Sequence, residues 1–195
     1  MEIILGSGSP RRREILQFFS LPFKQVDPGF DETQVLFQNN PRQFVKEISR
    51  RKALSLQERF PDSIILTADT TVFREGCLFQ KPETLEEAAC MLSELAGKEH
   101  QVFTGVTVCQ GRELFSDVEE SIVHFHPLSP DQIRMYHRHF LPLDKAGGYA
   151  IQKAGSIIVK RIEGCYYNIM GLPLQTTRHL LLHVGVDLWN YLKSV

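Results

Sequence analysis

The chain has 195 residues, 43% of them hydrophobic and 23% charged, and its 22 Lys and Arg against 23 Asp and Glu leave a net charge of −1. That length supports one sizeable core or two small lobes sharing a sheet, and the charge balance excludes a general nucleic-acid coat, so any anion site must be a local concentration of Lys and Arg. No apolar run approaches the length of a membrane span and no charged-then-apolar segment opens the chain, so a soluble cytoplasmic protein with no membrane partner is expected. The four cysteines (Cys77, Cys90, Cys109, Cys165) are far apart without a Cys-x-x-Cys pair. They read as reduced, mostly buried small apolar residues.

The first element is a strand over 2–5 running into a loop over 6–10 and a helix from about Arg11, spelled "LGSGSPRRREIL" at 5–16. Two readings fit. Ser9 and Pro10 are an ordinary N-cap and first helical residue. Alternatively, the serine hydroxyls, the first-turn N–H groups and Arg11, Arg12 and Arg13 converge on a phosphate or carboxylate. No Gly-Lys-Ser/Thr follows, so this is not a Walker A loop. The stretch 41–60 predicts a helix with Pro41 in its first turn and Val45 and Ile48 on its buried stripe. "SIILTADTTV" (63–72) predicts a strand covered on both faces. Helix 84–98 has a capping box in Thr84 and Glu87, an apolar face of Leu85, Ala88, Leu92 and Leu95, and Gly97 to close it. Strands near 100–109 and 118–126 follow, then a helix opened by Ser129-Pro130-Asp131-Gln132. A Gly-rich stretch (144–152), a strand near 156–162 and a helix from about Leu174 complete the chain. No repeat or linker divides it, so 1–195 is read as a single domain. Strands and helices mix without strict alternation, which predicts an α/β fold with a mixed, curved sheet and flanking helices, two lobes enclosing a cleft.

Lys52 falls on the buried stripe of the 41–60 helix, where the pattern asks for an apolar residue. Either it snorkels to water or its ammonium reaches a cleft. Asp69 follows an apolar strand at what reads as its carboxyl end, where clefts of α/β sheets form; its plainer role is to cap a turn. With Asp31-Glu32 upstream, such carboxylates suit a hard cation or the activation of water. Lys81-Pro82 adds a fixed cation. His124, His126, His137 and His139 lack the spacing of a metal site and default to solvated or half-buried residues. No nucleophile elbow is present.

Assembled, "SGSPRR" (7–12), "DET" (31–33), "RKA" (51–53), "ADTTV" (68–72), "KP" (81–82), "TGV" (104–106), "DKAGGYAIQ" (144–152) and "GLPL" (171–174) make the chain resemble the Maf family of nucleotide pyrophosphatases, in its dTTP/UTP branch. The resemblance implies an α/β fold with a deep cleft, often in a homodimer, that cleaves a nucleoside triphosphate between its α and β phosphates to monophosphate and pyrophosphate. It further implies that Ser7, Ser9, Arg11 and Arg12 bind phosphates and that Lys52 and Lys81 line the cleft. Asp69 would accept a proton from water and, with Glu32, hold Mg²⁺, Mn²⁺ or Co²⁺. Arg11, Thr70 and Gln152 would set base specificity. Two departures stand out: Gly6 where the family commonly has Ala, expected to be mild in a flexible loop, and Lys153 where Gly is common. The rival readings are a nucleotidyltransferase and a non-catalytic nucleotide-binding regulator of cell division.

Overall fold

The computed structural model describes residues 2–193. The chain runs β1 (Ile3–Gly6), α1 (Pro10–Leu16), β2 (Phe23–Val26), a 3₁₀ turn (Glu32–Gln34), α2 (Pro41–Arg59), β3 (Ile64–Arg74), β4 (Cys77–Phe79), α3 (Leu85–Leu95), β5 (Glu99–Gln110) and β6 (Glu113–Phe125). It continues with α4 (Pro130–His139), 3₁₀ turns at Ala146–Gly148 and Lys153–Ile158, β7 (Val159–Glu163), α5 (Tyr166–Met170), α6 (Leu174–Leu182) and a last 3₁₀ turn at Leu188–Tyr191. The seven strands form one mixed sheet in the order β2-β1-β3-β5-β6-β7, with β4 paired to β3. β1 is parallel to β2 and β3, while β4 and β7 run antiparallel to their partners. The α/β class and mixed sheet expected from the sequence are therefore present.

Residue contacts group into two units. One holds the residues up to Asp69, Thr104–Glu119 and Gly171 onward; the other holds Thr70–Phe103 and Glu120–Met170. The chain passes from one to the other inside β3, β5 and β6 and again after α5.

In the first unit, Ile4, Ala53, Leu56, Ile65 and Cys109 form a buried cluster of the core. Each fully buried side chain of the size of Leu56 contributes about 1.5–3 kcal/mol. α2 starts at Pro41 behind an Asn40 cap and buries Phe44, Val45, Ile48, Lys52, Ala53 and Leu56, so the lysine does occupy the apolar stripe. It lies directly on β5: a Cβ at Gly105 would stand 2.4 Å from the Val45 carbonyl oxygen, so only glycine permits this approach. Gly6 corrects an expectation. It is the last, buried residue of β1 rather than part of a flexible loop, and a Cβ there would meet Leu56 Cδ1 at 2.3 Å and Thr67 Cγ2 at 2.7 Å.

In the second unit, Ala88, Leu92 and Leu95 of α3 are buried, but Leu85, on the same face at the first helical position, is 52% exposed. Thr84 caps Glu87 N–H, whereas the Glu87 carboxylate accepts from Glu83 N–H, one residue before the cap, so the expected reciprocal box is offset. The complete box is on α4, between Ser129 and Gln132. The strand expected near 156–162 begins only at Val159, since Lys153–Ile158 coils into a 3₁₀ turn. All four cysteines are free thiols, but only Cys109 is buried, with Cys77 and Cys90 exposed on short or surface elements.

Candidate active site

The ladder of β1 continues one residue past Gly6, where Ser7 N–H donates to Val26 O at 3.1 Å and so turns the loop outward beside β2. Ser7 is buried, and its hydroxyl accepts from Ser9 N–H at 3.2 Å and from Arg12 Nη1 at 3.0 Å. Both lone pairs are then in use. Its O–H proton remains as a donor, which is what an anion needs. Ser9 stands at the N-cap of α1 but makes no capping bond through its side chain. Pro10 occupies the first helical position and the helix has only seven residues, so side chains rather than helix N–H groups dominate this corner. Arg12 Nε donates to Gly171 O at 2.8 Å, which ties the "GLPL" stretch to the loop.

Lys52 resolves the sequence ambiguity. Its ammonium does not snorkel: the side chain is 6% exposed and Nζ lies 2.7 Å from Asp69 Oδ1 and 2.6 Å from Glu32 Oε1. Glu32 is brought there by the 3₁₀ turn at 32–34, which Asp31 fixes by accepting from Thr33 N–H at 3.0 Å and Thr33 Oγ1 at 2.7 Å. These bonds hold the Asp31 carboxyl below its ordinary pKa. Asp69 is not at the end of its strand, as the sequence suggested, because β3 continues to Arg74. Its pairing with β1 does end at Thr67, two residues earlier, so the carboxylate stands just past the β1 edge. Burial pushes the Arg12 pKa down from its ordinary value, Asp69 opposes that, Arg11 adds to it and Glu32 opposes it. The first unit thus gathers Ser7, Arg11, Arg12, Glu32, Lys52 and Asp69 into one field of charge.

Among the described residues no three His, Cys, Asp or Glu side chains cluster as a metal cage. The point at which Glu32 and Asp69 meet is taken by the Lys52 ammonium, 2.6 and 2.7 Å from them, so a divalent cation would have to be held on their other oxygens together with substrate phosphates and water.

The other sequence candidates lie in the second unit. Thr70 is half-buried and directly follows Asp69, and Lys81 is exposed before the buried Pro82. Gln152 is half-buried, and its Oε1 is shut away from water without a hydrogen-bond partner among the described residues. Two α4 side chains fix the segment that leads to it. Tyr136 Oη accepts from Ala150 N–H at 3.0 Å and donates to Ala150 O at 2.8 Å, while His137 Nε2 donates to Gly148 O at 2.9 Å. Burial raises the Tyr136 pKa to about 12 and lowers that of His137, so both stay neutral. His137 is therefore a structural donor. Lys153 adopts φ +56°, a left-handed backbone that favours glycine.

The description "Maf-like protein" fits the family model that matches residues 2–184. The chain belongs to the Maf family. It is 42% identical over 192 residues to a "dTTP/UTP pyrophosphatase" of Chlamydia caviae, covering 98% of each chain. A "dTTP/UTP pyrophosphatase" of Clostridium perfringens is 43% identical over 177 residues, 89% of this chain and 92% of its own. Among solved structures, the Staphylococcus aureus Ham1 protein aligns over 98% of this chain and 94% of its own at 10% identity, with a TM-score of 0.43.

Sequence reasoning did not find Gln25, whose side chain contacts the Ser7–Ser9 loop. Nothing in the spacing of a four-residue strand marks it.

Proposed function

We propose that this Maf protein hydrolyses nucleoside triphosphates, dTTP and UTP foremost, between the α and β phosphates to give a monophosphate and pyrophosphate. The observation that carries the reading is the Lys52–Glu32–Asp69 triangle beside the Ser7–Arg12 loop. The names of the relatives support the same reaction and substrates. Attack on a polyanionic anhydride needs phosphate charge neutralised, water deprotonated and leaving pyrophosphate stabilised. Arg11, Arg12, Lys52, Lys81 and the hydroxyls of Ser7 and Ser9 serve the first and third needs. Asp69, a carboxylate paired with Lys52, serves the second by taking the proton of the attacking water. Glu32 and Asp69 would hold a divalent cation such as Mg²⁺, Mn²⁺ or Co²⁺, which supplies further charge neutralisation and a more acidic bound water.

Base preference rests on Gln152, Thr70 and Arg11. The buried, unpartnered Gln152 Oε1 suits the N3–H of uracil or thymine, and its amide N–H suits a ring carbonyl. A wrong base would leave these polar groups unpaired. Arg11 disfavours a cationic 7-methylated purine. A regulator that only binds nucleotide has no need of Asp69 as a base, and a nucleotidyltransferase needs a sugar-phosphate acceptor.

The test is release of monophosphate and pyrophosphate from dTTP, UTP, CTP, ATP and 7-methyl-GTP, with and without added sugar phosphate and with EDTA followed by Mg²⁺, Mn²⁺ or Co²⁺. Acceptor-independent release led by dTTP and UTP, stopped by EDTA and restored by metal, is expected. A preference for 7-methyl-GTP overturns the base assignment, and undiminished hydrolysis in EDTA overturns the metal.

A further inference from the structure

The Ser7–Ser9 loop is held from β2 by the side chain of Gln25. Gln25, half-buried on β2 in register with Leu5, extends Nε2 to donate to Ser7 O at 2.6 Å and to Ser9 O at 3.3 Å. One amide thus draws two carbonyls of the loop toward β2. A trans peptide is planar, with C=O and N–H pointing to opposite sides, so fixing Ser7 O aims the Gly8 N–H away from Gln25. The same anchoring keeps Ser9 N–H on the Ser7 hydroxyl, the bond that leaves the hydroxyl proton as a donor. We propose that Gln25 is a positioning residue that presets the loop for phosphate, a role that rests on the reading of that loop as phosphate-binding.

Loss of Gln25 does not have to unfold the protein. The latch lines an open surface groove of about 760 Å³ together with Ser7, Gly8 and Asp27, and water entering there can satisfy the two released carbonyls. The protein keeps its hydrogen bonds but loses the fixed geometry. Ordering the loop is then left to the ligand, which weakens binding.

The experiment compares wild type, Gln25→Met (similar length, no N–H) and Gln25→Asn (an amide one methylene shorter). Inorganic pyrophosphate is titrated by calorimetry, dTTP kinetics are measured, and amide hydrogen exchange is followed over residues 7–9. Both variants should bind pyrophosphate about tenfold more weakly, because the ligand must then order the loop that Gln25 held. KM should rise in step, with any fall in kcat smaller than the rise in KM, because the cost of ordering the loop falls on binding. Exchange should quicken at Ser9. A merely structural lesion would lower the active fraction, and hence kcat, and leave KM alone. Pyrophosphate affinity within twofold of wild type in either folded variant overturns the latch, as does a fall in kcat at constant KM. The two readings separate cleanly. Wild type that hydrolyses no triphosphate but binds pyrophosphate through Gln25 defeats the activity and keeps the latch, whereas wild type that hydrolyses dTTP with a pyrophosphate affinity independent of Gln25 keeps the activity and defeats the latch.

Discussion

Replacing Lys52 with Met keeps the stem that packs on α2's buried stripe and deletes only the charge. The two partners then respond differently. Glu32 is 47% exposed, so the loss of its ion pair is screened by water and worth at most about 1 kcal/mol. Asp69 is 10% exposed and loses the ammonium 2.7 Å away, with the more distant Arg12 charge still acting on it. Removing one member of a buried pair costs about 3–5 kcal/mol, and the better burial of an uncharged stem offsets part of it, leaving a net loss near 3 kcal/mol. For a chain of 195 residues that corresponds to a melting temperature lower by about 6–12 °C. Urea unfolding at neutral pH measures the loss, and pyrophosphate release measures turnover, which should fall as well. The double variant Lys52→Met/Asp69→Asn should recover much of the stability, because the orphaned charge is gone. If Lys52→Met instead melts higher than wild type and keeps its activity, the ammonium has no buried partner and the ion-pair reasoning is wrong.

Asp69→Asn should lower turnover by roughly 10²–10⁴-fold, the usual contribution of a general base, while pyrophosphate still binds in calorimetry; near-normal rates would move the base to Glu32. Lys153→Gly should stabilise the protein by about 1 kcal/mol or less, since relief of a left-handed backbone outweighs the added freedom of the unfolded chain. A lower melting temperature for that variant would mean that the lysine side chain makes a contact that matters. Burial, reinforced by His124 and Arg74, pushes the His100 pKa from 6.5 to about 3. Its folded pKa is depressed, so its stabilisation is complete above about pH 6.5 and is lost by about 1.4 kcal/mol per unit as pH falls toward 3. Urea titrations between pH 4 and 7 should show a shallower acid slope for His100→Gln, and equal slopes would contradict this.

How legible the protein was depended on the range of the interactions. α2 and α4 could be read from caps and 3.6-residue periodicity, because those signals are local. β2, β4 and α5 have three to five residues each, too short for any period to show, and depend on the strands or turns they pack against. Lys52 announced itself as a charge in an apolar stripe, but that Glu32 would join it depends on a turn twenty residues away. Asp69 was found for an incomplete reason: the strand does not stop there, only its pairing with β1 does. The Gln152 segment was visible through its glycines, yet the Tyr136 and His137 bonds that hold it join residues eleven to fourteen positions apart, beyond any local pattern.

The packing around Gly6 makes the Ser7–Arg12 loop a poor transplant. A loop borrowed from a relative with alanine at that position would arrive with a methyl group where Leu56 Cδ1 and Thr67 Cγ2 already stand, 2.3 and 2.7 Å away. Leu56 has no exposed surface into which to retreat, and the threonine is held by its hydroxyl on Ser49 O. Chimeras between this chain and such relatives therefore have to exchange residues 6, 56 and 67 as one inherited set, although they lie on three separate elements.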